Sequence, residues 1–482
     1  MPTSKNAGPQ VALQEGDLYE KVRVLYEEVR SAGEERYREW LPHIARSTFL
    51  PSAQNLASYL AFREHDLREL QDALTPLGLS SLGRSEAHVL PTLAAVRATL
   101  AVLCGINDTT AERPLSQDFG VGNRLLQSNT RELFGTTNSL HVMVTLSTEA
   151  AADYPFVKHL VEAGMDSARI NCAHDSPEAW RAMAANVRRA AQEAQRPCRI
   201  YMDIAGPKLR VGSVVARYPN RRFFAGDTVQ LTCTEPAVYD HLRSGMPVWI
   251  DDGKIGAVVV RSEIGGMVLE IKHASPKGSR IRPDKGLNFP QTSLPFPALG
   301  ESDLADLDEI VANADIVGQS FVRNASDVET LLREFERRHV RLPIIAKIET
   351  ADAIANLPEI IVAGAGQVPF GVMIARGDLA IEIGYERLAE IQEELLWLCE
   401  AAHVPVVWAT QVLDGFVRTG VPSRAEITDA AMAERAECVM LNKGPFVVEA
   451  ISVLADVIER MRGHQAKKSA RLRALHAWKR PS

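Results

Sequence analysis

Residues 344–360 read IIAKIETADAIANLPEI, and this stretch contains the pattern that decides the fold. Its apolar first half predicts a short buried strand that ends at Lys347-Ile348-Glu349, and its second half predicts a helix. In a strand, residues i and i+2 point to the same face, so Lys347 and Glu349 project together from the strand end. On these three residues alone, an ordinary salt bridge explains the pattern as well as a functional site does.

The same pattern of a strand followed by a helix recurs on both sides of this stretch. Further apolar segments occupy residues 141–147, 167–172, 199–204, 315–322, 370–378, 404–412 and 437–443. Alternation of short strands with helical segments is typical of a parallel sheet. Eight such strands predict an α/β fold of the closed (β/α)₈ TIM-barrel type.

One gap in this pattern predicts an inserted domain. About 110 residues separate the third strand from the fourth, and their interior is rich in Val, Gly and Thr with turn signals, as in a small β-barrel lid. We therefore expect four parts, with the helical extension serving packing or oligomerisation. They are an α-helical N-terminal extension at 1–137, a catalytic barrel at 138–211 and 288–462, an inserted β lid at 212–287 and a basic C-terminal tail at 463–482.

Composition narrows the class of protein. The 482 residues are 46% hydrophobic and 24% charged, with a net charge of −7, which gives no polyelectrolyte signature for nucleic-acid binding. The N-terminus lacks the apolar core of a signal peptide, and no uninterrupted apolar run is long enough to suggest a membrane span. The six scattered cysteines are typical of reduced thiols. We expect a cytoplasmic protein with neither nucleic-acid nor membrane partners.

Polar and charged residues gather at the predicted strand ends. In a barrel the loops that follow the strands share one face and carry the site. Because burying unpaired charge is costly, this many charges at one mouth favour a functional role over a structural one. They are Arg169 and Asn171 after the second strand, Asp203, Lys208 and Arg210 after the third, Lys347 and Glu349 after the fifth, Arg376 and Asp378 after the sixth, and Thr410 after the seventh.

The segments that hold these residues resemble the pyruvate kinase family, in the family's order, over about residues 141–462. The matching segments are GMDSARINCAHDS, MDIAGPKLRVG, IDDGKI, KGLNFP, IIAKIET, GVMIARGDLAIEIG, VPVVWATQVLDGF and VPSRAEITDAA. The family pattern is a barrel with a mobile β lid after the third strand, and the 212–287 insertion is similar but shorter.

The resemblance implies a kinase that transfers a phosphoryl group from phosphoenolpyruvate to ADP, giving pyruvate and ATP. It implies that Glu349 and Asp378 bind Mg²⁺, with Mn²⁺ able to substitute. It makes Lys347 the cation for the transferred group and the enolate oxygen, and Arg169 a fork for phosphate.

The remaining site roles also follow from the resemblance. The ARGD turn, made of Ala375, Arg376, Gly377 and Asp378, would bind the substrate carboxylate through backbone N–H groups. Thr410 would lie on the path that delivers a proton to the enolate. Asn171, His174 and Arg210 match positions on the nucleotide side.

Departures from the family pattern predict that K⁺ is not required. Ala173 and Ile204 stand where the family has a serine and a threonine ligand for K⁺, which leaves a vestigial site of Asn171 and Asp203. Lys208 stands where K⁺-requiring members have a glutamate, so its ammonium is expected to substitute for the monovalent cation.

Other departures affect the mouth and the C-terminus. The segment after the first strand, Thr145-Leu-Ser-Thr148, differs from the family, and after the eighth strand a glutamate is lost while Lys443 is gained. The chain ends about twenty residues past the last predicted barrel helix, so we expect no activation by fructose 1,6-bisphosphate through the family's C-terminal domain.

Two alternatives stay open at this stage. One is a Mg²⁺-dependent lyase or aldolase that handles a pyruvate enolate in a similar barrel. The other is a non-catalytic binding protein that keeps the pockets. In the leading interpretation the protein is a homo-oligomer, and replacing Lys347 by Met abolishes turnover with little change in folding.

Overall fold

The computed structural model describes residues 15–79, 81–110, 113–135, 140–215, 221–263, 265–290, 292, 296–467 and 469–470. The chain forms two compact units: Met1–Ser128 together with Trp397–Val404, and Asn129–Leu396 together with Pro405–Ser482. The first is helical, and the second contains the barrel and the lid.

The regular elements are numbered in chain order. The helices are α1 (Glu15–Trp40), α2 (Leu50–Arg63), α3 (Arg68–Leu74), α4 (Val89–Leu103), α5 (Asp118–Phe134), α6 (Tyr154–Ala163), α7 (Pro177–Glu193), α8 (Glu301–Asn313), α9 (Ala325–Arg337), α10 (Ala351–Ala355), α11 (Leu357–Ala365), α12 (Arg376–Ile383), α13 (Tyr385–Ala401), α14 (Asp414–Thr419), α15 (Arg424–Met432) and α16 (Val447–Arg462). The strands are β1 (His141–Thr145), β2 (Ser167–Asn171), β3 (Arg199–Asp203), β4 (Val211–Val215), β5 (Thr228–Cys233), β6 (Pro247–Ile250), β7 (Ile255–Glu263), β8 (Gly266–His273), β9 (Leu287–Asn288), β10 (Ile316–Gln319), β11 (Ile344–Ile348), β12 (Phe370–Ala375), β13 (Val406–Val412), β14 (Cys438–Leu441), β15 (Gln465–Ala466) and β16 (Ser469–Ala470).

The predicted TIM barrel is confirmed. Its closed sheet has the order β1-β14-β13-β12-β11-β10-β3-β2, and its neighbouring strands run parallel. Each predicted strand is present, slightly shorter than the apolar run that predicted it. The largest difference lies at 370–378, where the strand ends at Ala375 and α12 begins at Arg376. The RGD residues therefore form the first turn of a helix.

The barrel interior is filled with apolar side chains. Met143, Tyr201, Ile345 and Met373 belong to one buried cluster, so the barrel is a packed core and not a pore. The end of α5 joins this cluster through Leu133 and Phe134, both fully buried. The sequence analysis assigned residues up to 137 to the N-terminal extension, whereas Asn129 to Phe134 group with the barrel unit.

Side-chain caps start several of the helices that come after the barrel strands. Thr350 follows Glu349, and its Oγ1 accepts a hydrogen bond from Ala353 N at 3.1 Å. Ser423 and Glu426 form a reciprocal capping box at the start of α15. Such caps satisfy the free N–H groups of a first helical turn. The chain thus turns into a helix within one residue of the carboxylate at the mouth.

The inserted lid is an antiparallel sheet of the order β4-β5-β8-β7-β6-β9 around its own apolar core. Its two ends meet where the chain leaves and re-enters the barrel. There, Leu287 N donates to Leu209 O at 2.9 Å and Val211 N donates to Lys285 O at 2.8 Å. The lid core includes Leu209 and Phe289, so the compact lid begins and ends slightly outside 212–287.

In the helical unit, α1 packs against α2 and α4. The predicted stripe of α1 is buried at Leu18, Val22, Leu25 and Val29, whereas Leu103 at the end of the α4 stripe is 51% exposed. Residues Glu86–Leu103 are long and apolar enough to span a membrane by length and composition alone, although 56% of the window is buried, as in the core helix of a folded unit.

The four-part domain division itself stays a prediction. The basic tail lies largely outside the described residues, which end with the short β15–β16 pair.

Candidate active site

Lys347 lies at the centre of the barrel mouth. It projects from β11 with its Nζ 3.1 Å from Glu349 Oε1 and 3.3 Å from Asp203 Oδ2, and it donates to Ser320 Oγ at 2.8 Å. Burial opposes the charge of the Lys347 ammonium, but Asp203 and Glu349 outweigh that effect and hold its pKa above the ordinary value. The site therefore holds a buried cation stabilised by two carboxylates.

Arg169 on β2 shares the Asp203 carboxylate with Lys347. Its Nη2 and Nε lie 2.5 and 3.0 Å from Asp203 Oδ2, and its Nη1 donates to Thr145 Oγ1 at 3.1 Å. Although burial works against the Asp203 charge, Lys347 and Arg169 lower the pKa of this carboxyl group. Two cations are thus fixed on one buried carboxylate at the mouth.

At Glu349 burial outweighs the neighbouring Lys347 ammonium, the reverse of the balance at Asp203. Its Oε2 accepts a hydrogen bond from Phe321 N at 2.7 Å, and its pKa is raised, first by burial and further by the charge of Asp378. Two mutually repelling carboxylates suit a hard divalent cation such as Mg²⁺, which prefers oxygen ligands and keeps several waters. Across the described part of the chain, no group of three or more His, Cys, Asp or Glu side chains forms a metal cage.

Lys208 forms an ion pair with the second carboxylate. Its Nζ lies 3.0 and 3.3 Å from the two oxygens of Asp378, and 3.9 Å from Asp252 of the lid. The sequence analysis expected this ammonium among the vestigial K⁺ ligands, Asn171 and Asp203. The structure instead places it on Asp378, because Arg169 and Lys347 already neutralise Asp203.

The Arg376 side chain is engaged within the protein, apart from the backbone N–H groups expected to bind substrate. Its guanidinium donates to the carbonyl oxygens of Ala409 and Thr410 at 2.9 and 2.7 Å, forms a bidentate pair with Asp429, and lies over the Trp408 ring. With its donors used in this way, Arg376 fixes the end of β13. This geometry therefore does not favour a contact between the Arg376 side chain and the substrate.

Thr410 and the ARGD turn meet at the mouth. Thr410 Oγ1 accepts a hydrogen bond from Gly377 N at 2.8 Å, which places the hydroxyl against the first turn of α12. This N–H, expected to bind a substrate carboxylate, is therefore bonded to Thr410 in this structure. The φ of Thr410 is +63°, a left-handed conformation that is unusual for a β-branched residue. Strain of this kind clusters at functional sites.

The predicted nucleotide side is positively charged. The pKa of His174 is lowered, first by burial and then by Lys443, Arg210 and Arg169, so these cations lie within electrostatic range of His174. The Arg210 guanidinium donates to Asp284 O at 3.0 Å, while Asn171 Oδ1 accepts from Ala173 N at 3.2 Å. Repulsion among the cations favours an anionic ligand such as a polyphosphate.

The sequence analysis missed residues that hold the charged groups in place. Ser320 donates to Ile204 O at 2.7 Å while accepting from Lys347, and Tyr201 donates to Asp203 Oδ1 at 3.0 Å. Ser320 follows the fourth barrel strand, so a search for hydroxyls as well as charges at strand ends would have found it.

Comparison with known proteins agrees with this geometry. Residues 138–451 match the family model described as pyruvate kinase, barrel domain. The chain is 34% identical over 329 residues to a pyruvate kinase of Methylorubrum extorquens, covering 64% of this chain and 66% of the relative. It is 34% identical over 324 residues to pyruvate kinase PKLR of Rattus norvegicus, covering 61% and 55%.

A pyruvate kinase of Geobacillus stearothermophilus is 33% identical over 320 residues, which covers 62% of this chain and 53% of the relative. The chain thus spans between about half and just under two thirds of the length of these relatives. The family model alone covers more than half of the chain. The chain therefore belongs to the pyruvate kinase family.

Proposed function

We propose that this protein is a Mg²⁺-dependent pyruvate kinase that transfers the phosphoryl group of phosphoenolpyruvate to ADP. The observation that carries the proposal is the buried Lys347 ammonium between Asp203 and Glu349, with Arg169 on the same Asp203. Phosphoryl transfer needs positioned positive charge more than covalent chemistry. The family and the carboxylate pair support the same reaction.

The substrate would bind at the mouth through its two anionic groups. Arg169 would bind the phosphate as a planar fork, while the start of α12 would receive the carboxylate. Because Gly377 N is bonded to Thr410 Oγ1, this hydroxyl must turn aside or share the N–H when the carboxylate binds. Lys347 would lie beside the oxygen that joins phosphorus to the enol carbon.

In the transfer step, a β-phosphate oxygen of ADP forms a bond to phosphorus while the bond from phosphorus to the enol oxygen breaks. The enolate keeps the electron pair of the broken bond, and Lys347 stabilises its oxygen. The methylene carbon of the enolate then takes a proton on the Thr410 side, giving pyruvate. His174, Arg210 and Asn171 would orient the nucleotide phosphates.

Glu349 and Asp378 would hold the divalent cation. When bound, Mg²⁺ supplies positive charge to phosphoryl oxygens and so lowers the cost of charge redistribution. The ion must compete with Lys208 for the Asp378 carboxylate. We therefore expect Lys208 to release one of the two Asp378 oxygens when Mg²⁺ binds. We further propose that K⁺ is not required, since Ala173 and Ile204 supply no side-chain oxygen.

A coupled assay of pyruvate production tests the proposal. The full chain is incubated with phosphoenolpyruvate, ADP and Mg²⁺, in tetramethylammonium buffer with and without K⁺, and with EDTA as a control. We expect turnover that EDTA abolishes and that K⁺ changes by less than about twofold. Release of pyruvate from a 4-hydroxy-2-oxo acid, with none from phosphoenolpyruvate and ADP, would instead favour the lyase alternative. Binding of phosphoenolpyruvate without turnover would favour the non-catalytic one.

A further inference from the structure

A cavity of about 390 Å³ lies between the root of the lid and the barrel, next to the candidate active site. Its apolar wall includes Phe289, Phe296 and Phe321. Lys347, Glu349 and Asp378 are not among the described residues that line it. The volume is within the range of pockets that bind small organic molecules.

The cavity lining includes a buried amide, Asn288, whose oxygen is unsatisfied. Asn288 on β9 is only 6% exposed, and within the described part of the chain its Oδ1 has no hydrogen-bond partner. Its Nδ2 donates to Glu382 Oε1 at a long 3.3 Å. This contact holds the Glu382 carboxylate against the lid but supplies it no positive charge.

The charges of the lining residues point to a cation. Lys208 is paired with Asp378 and Arg323 with Asp327, so both cations of the lining are already neutralised. The carboxylates of Asp352 and Glu382 form no ion pair within the described residues, and each belongs to the lining. Three aromatic rings beside two carboxylates form a favourable environment for an organic ammonium group.

We propose that this cavity is a binding site for a small organic cation with a primary ammonium group and an apolar body. The ammonium donates to Glu382, while the apolar body packs against the phenylalanine wall. Because Phe289 belongs to the lid core and Glu382 to α12 of the barrel, the ligand joins the two parts of this unit.

The environment of Glu382 supports this site. Burial, together with the charges of Asp378 and Asp352, raises the pKa of its carboxyl group to about 7, while the hydrogen bond from Asn288 acts in the opposite direction. A cation bound beside this carboxylate supplies the positive charge that the surrounding residues do not.

Calorimetry with the full chain, without phosphoenolpyruvate or nucleotide, tests the proposal. The probe is 2-phenylethylammonium, compared with the neutral 2-phenylethanol and the anionic 3-phenylpropionate. A charge-assisted hydrogen bond predicts that the ammonium binds at least about tenfold more tightly than the alcohol. Equal binding of the amine and the alcohol, or preferred binding of the anion, would overturn the proposal.

Variants then locate the site. Glu382→Gln removes the charge at nearly constant shape and should weaken binding of the ammonium by about tenfold. Glu386→Gln, on an exposed residue just beyond the same helix, should leave binding unchanged. Unchanged affinity of Glu382→Gln would place the probe elsewhere and refute the site. Where the Glu382 variant does not fold, Phe296→Ala in the phenylalanine wall is the second test, and unchanged affinity of that variant would also refute the site.

Discussion

Lys208 and Asp378 form an ion pair at the barrel mouth, with Nζ 3.0 Å from one carboxylate oxygen and 3.3 Å from the other. The pair joins the loop after β3 to the first turn of α12. It neutralises a carboxylate that would otherwise repel Glu349 more strongly. The charge of Lys208 therefore acts on Asp378 and Glu349, the proposed metal ligands, rather than directly on Asn171 and Asp203, the proposed remnants of a K⁺ site.

Lys208→Gln should reduce turnover, and K⁺ should not restore it. The variant lacks the ammonium, while Ala173 and Ile204 still provide no side-chain oxygen for K⁺. We expect kcat to fall by about tenfold or more, with equal rates in K⁺ and tetramethylammonium.

The triple variant Lys208→Glu, Ala173→Ser, Ile204→Thr completes the family's K⁺ ligand set and should become K⁺-dependent. Lys272→Gln, on an exposed lid lysine, serves as the control. Full activity of Lys208→Gln in tetramethylammonium would contradict a role for this ammonium.

Lys347→Met should abolish turnover and also destabilise the fold. Removing one partner of a buried ion pair leaves the other charge uncompensated, at a cost of about 3–5 kcal/mol. This revises the expectation of nearly unchanged folding, because Glu349 would keep only the hydrogen bond from Phe321 N among its described contacts. We expect kcat to fall at least about a hundredfold.

Urea unfolding checks the stability of this variant, and Lys254→Met, on an exposed lid lysine, is its control. Because the pKa of Glu349 is raised, the stability loss should shrink as pH falls and Glu349 becomes neutral. A loss that stays constant with pH would argue against this explanation.

The variants Thr410→Val and Thr410→Ser separate the contribution of the Thr410 hydroxyl to catalysis from that of its backbone conformation. Valine keeps the β-branching at a φ of +63° but leaves Gly377 N without its acceptor. We expect kcat to fall by about a hundredfold in the valine variant, in the range of a lost general acid. Serine should stay within about tenfold of the native rate. Similar rates in both variants would mean that Thr410 has only a structural role.

Glu382 should make the protein less stable as pH rises. Its pKa of about 7 in the folded state exceeds the ordinary value of 4.5. The protonated form is thus favoured by folding, and this contribution, fully present below about pH 4.5, is lost as pH rises through about 7. Relative to Glu382→Gln, the native protein should lose up to about 3 kcal/mol of unfolding free energy between pH 4.5 and 7.5.

Urea unfolding at a series of pH values measures this difference, with Glu386→Gln as the matched control. A constant difference between native and Glu382→Gln across that range would show that Glu382 titrates normally.

Local patterns were sufficient to predict the barrel and the positions of its polar strand ends. Lys347 and Glu349 share a strand face because of backbone geometry, which the sequence contains directly. The partner of Lys208 was not predictable in this way, since Asp378 lies 170 residues away and the choice depends on which carboxylates other cations already neutralise. The partner of the Arg376 side chain was not predictable for the same reason, because Asp429 comes from another helix.

Phosphorus NMR of the full chain with phosphoenolpyruvate, ADP and Mg²⁺ tests the central claim most directly, because it follows the phosphoryl group itself. The account predicts that the phosphoenolpyruvate signal is replaced by the γ-phosphate signal of ATP in the native protein, and that this conversion disappears in Lys347→Met. Release of inorganic phosphate without ATP, or an unchanged phosphoenolpyruvate signal with the folded native chain, would contradict it.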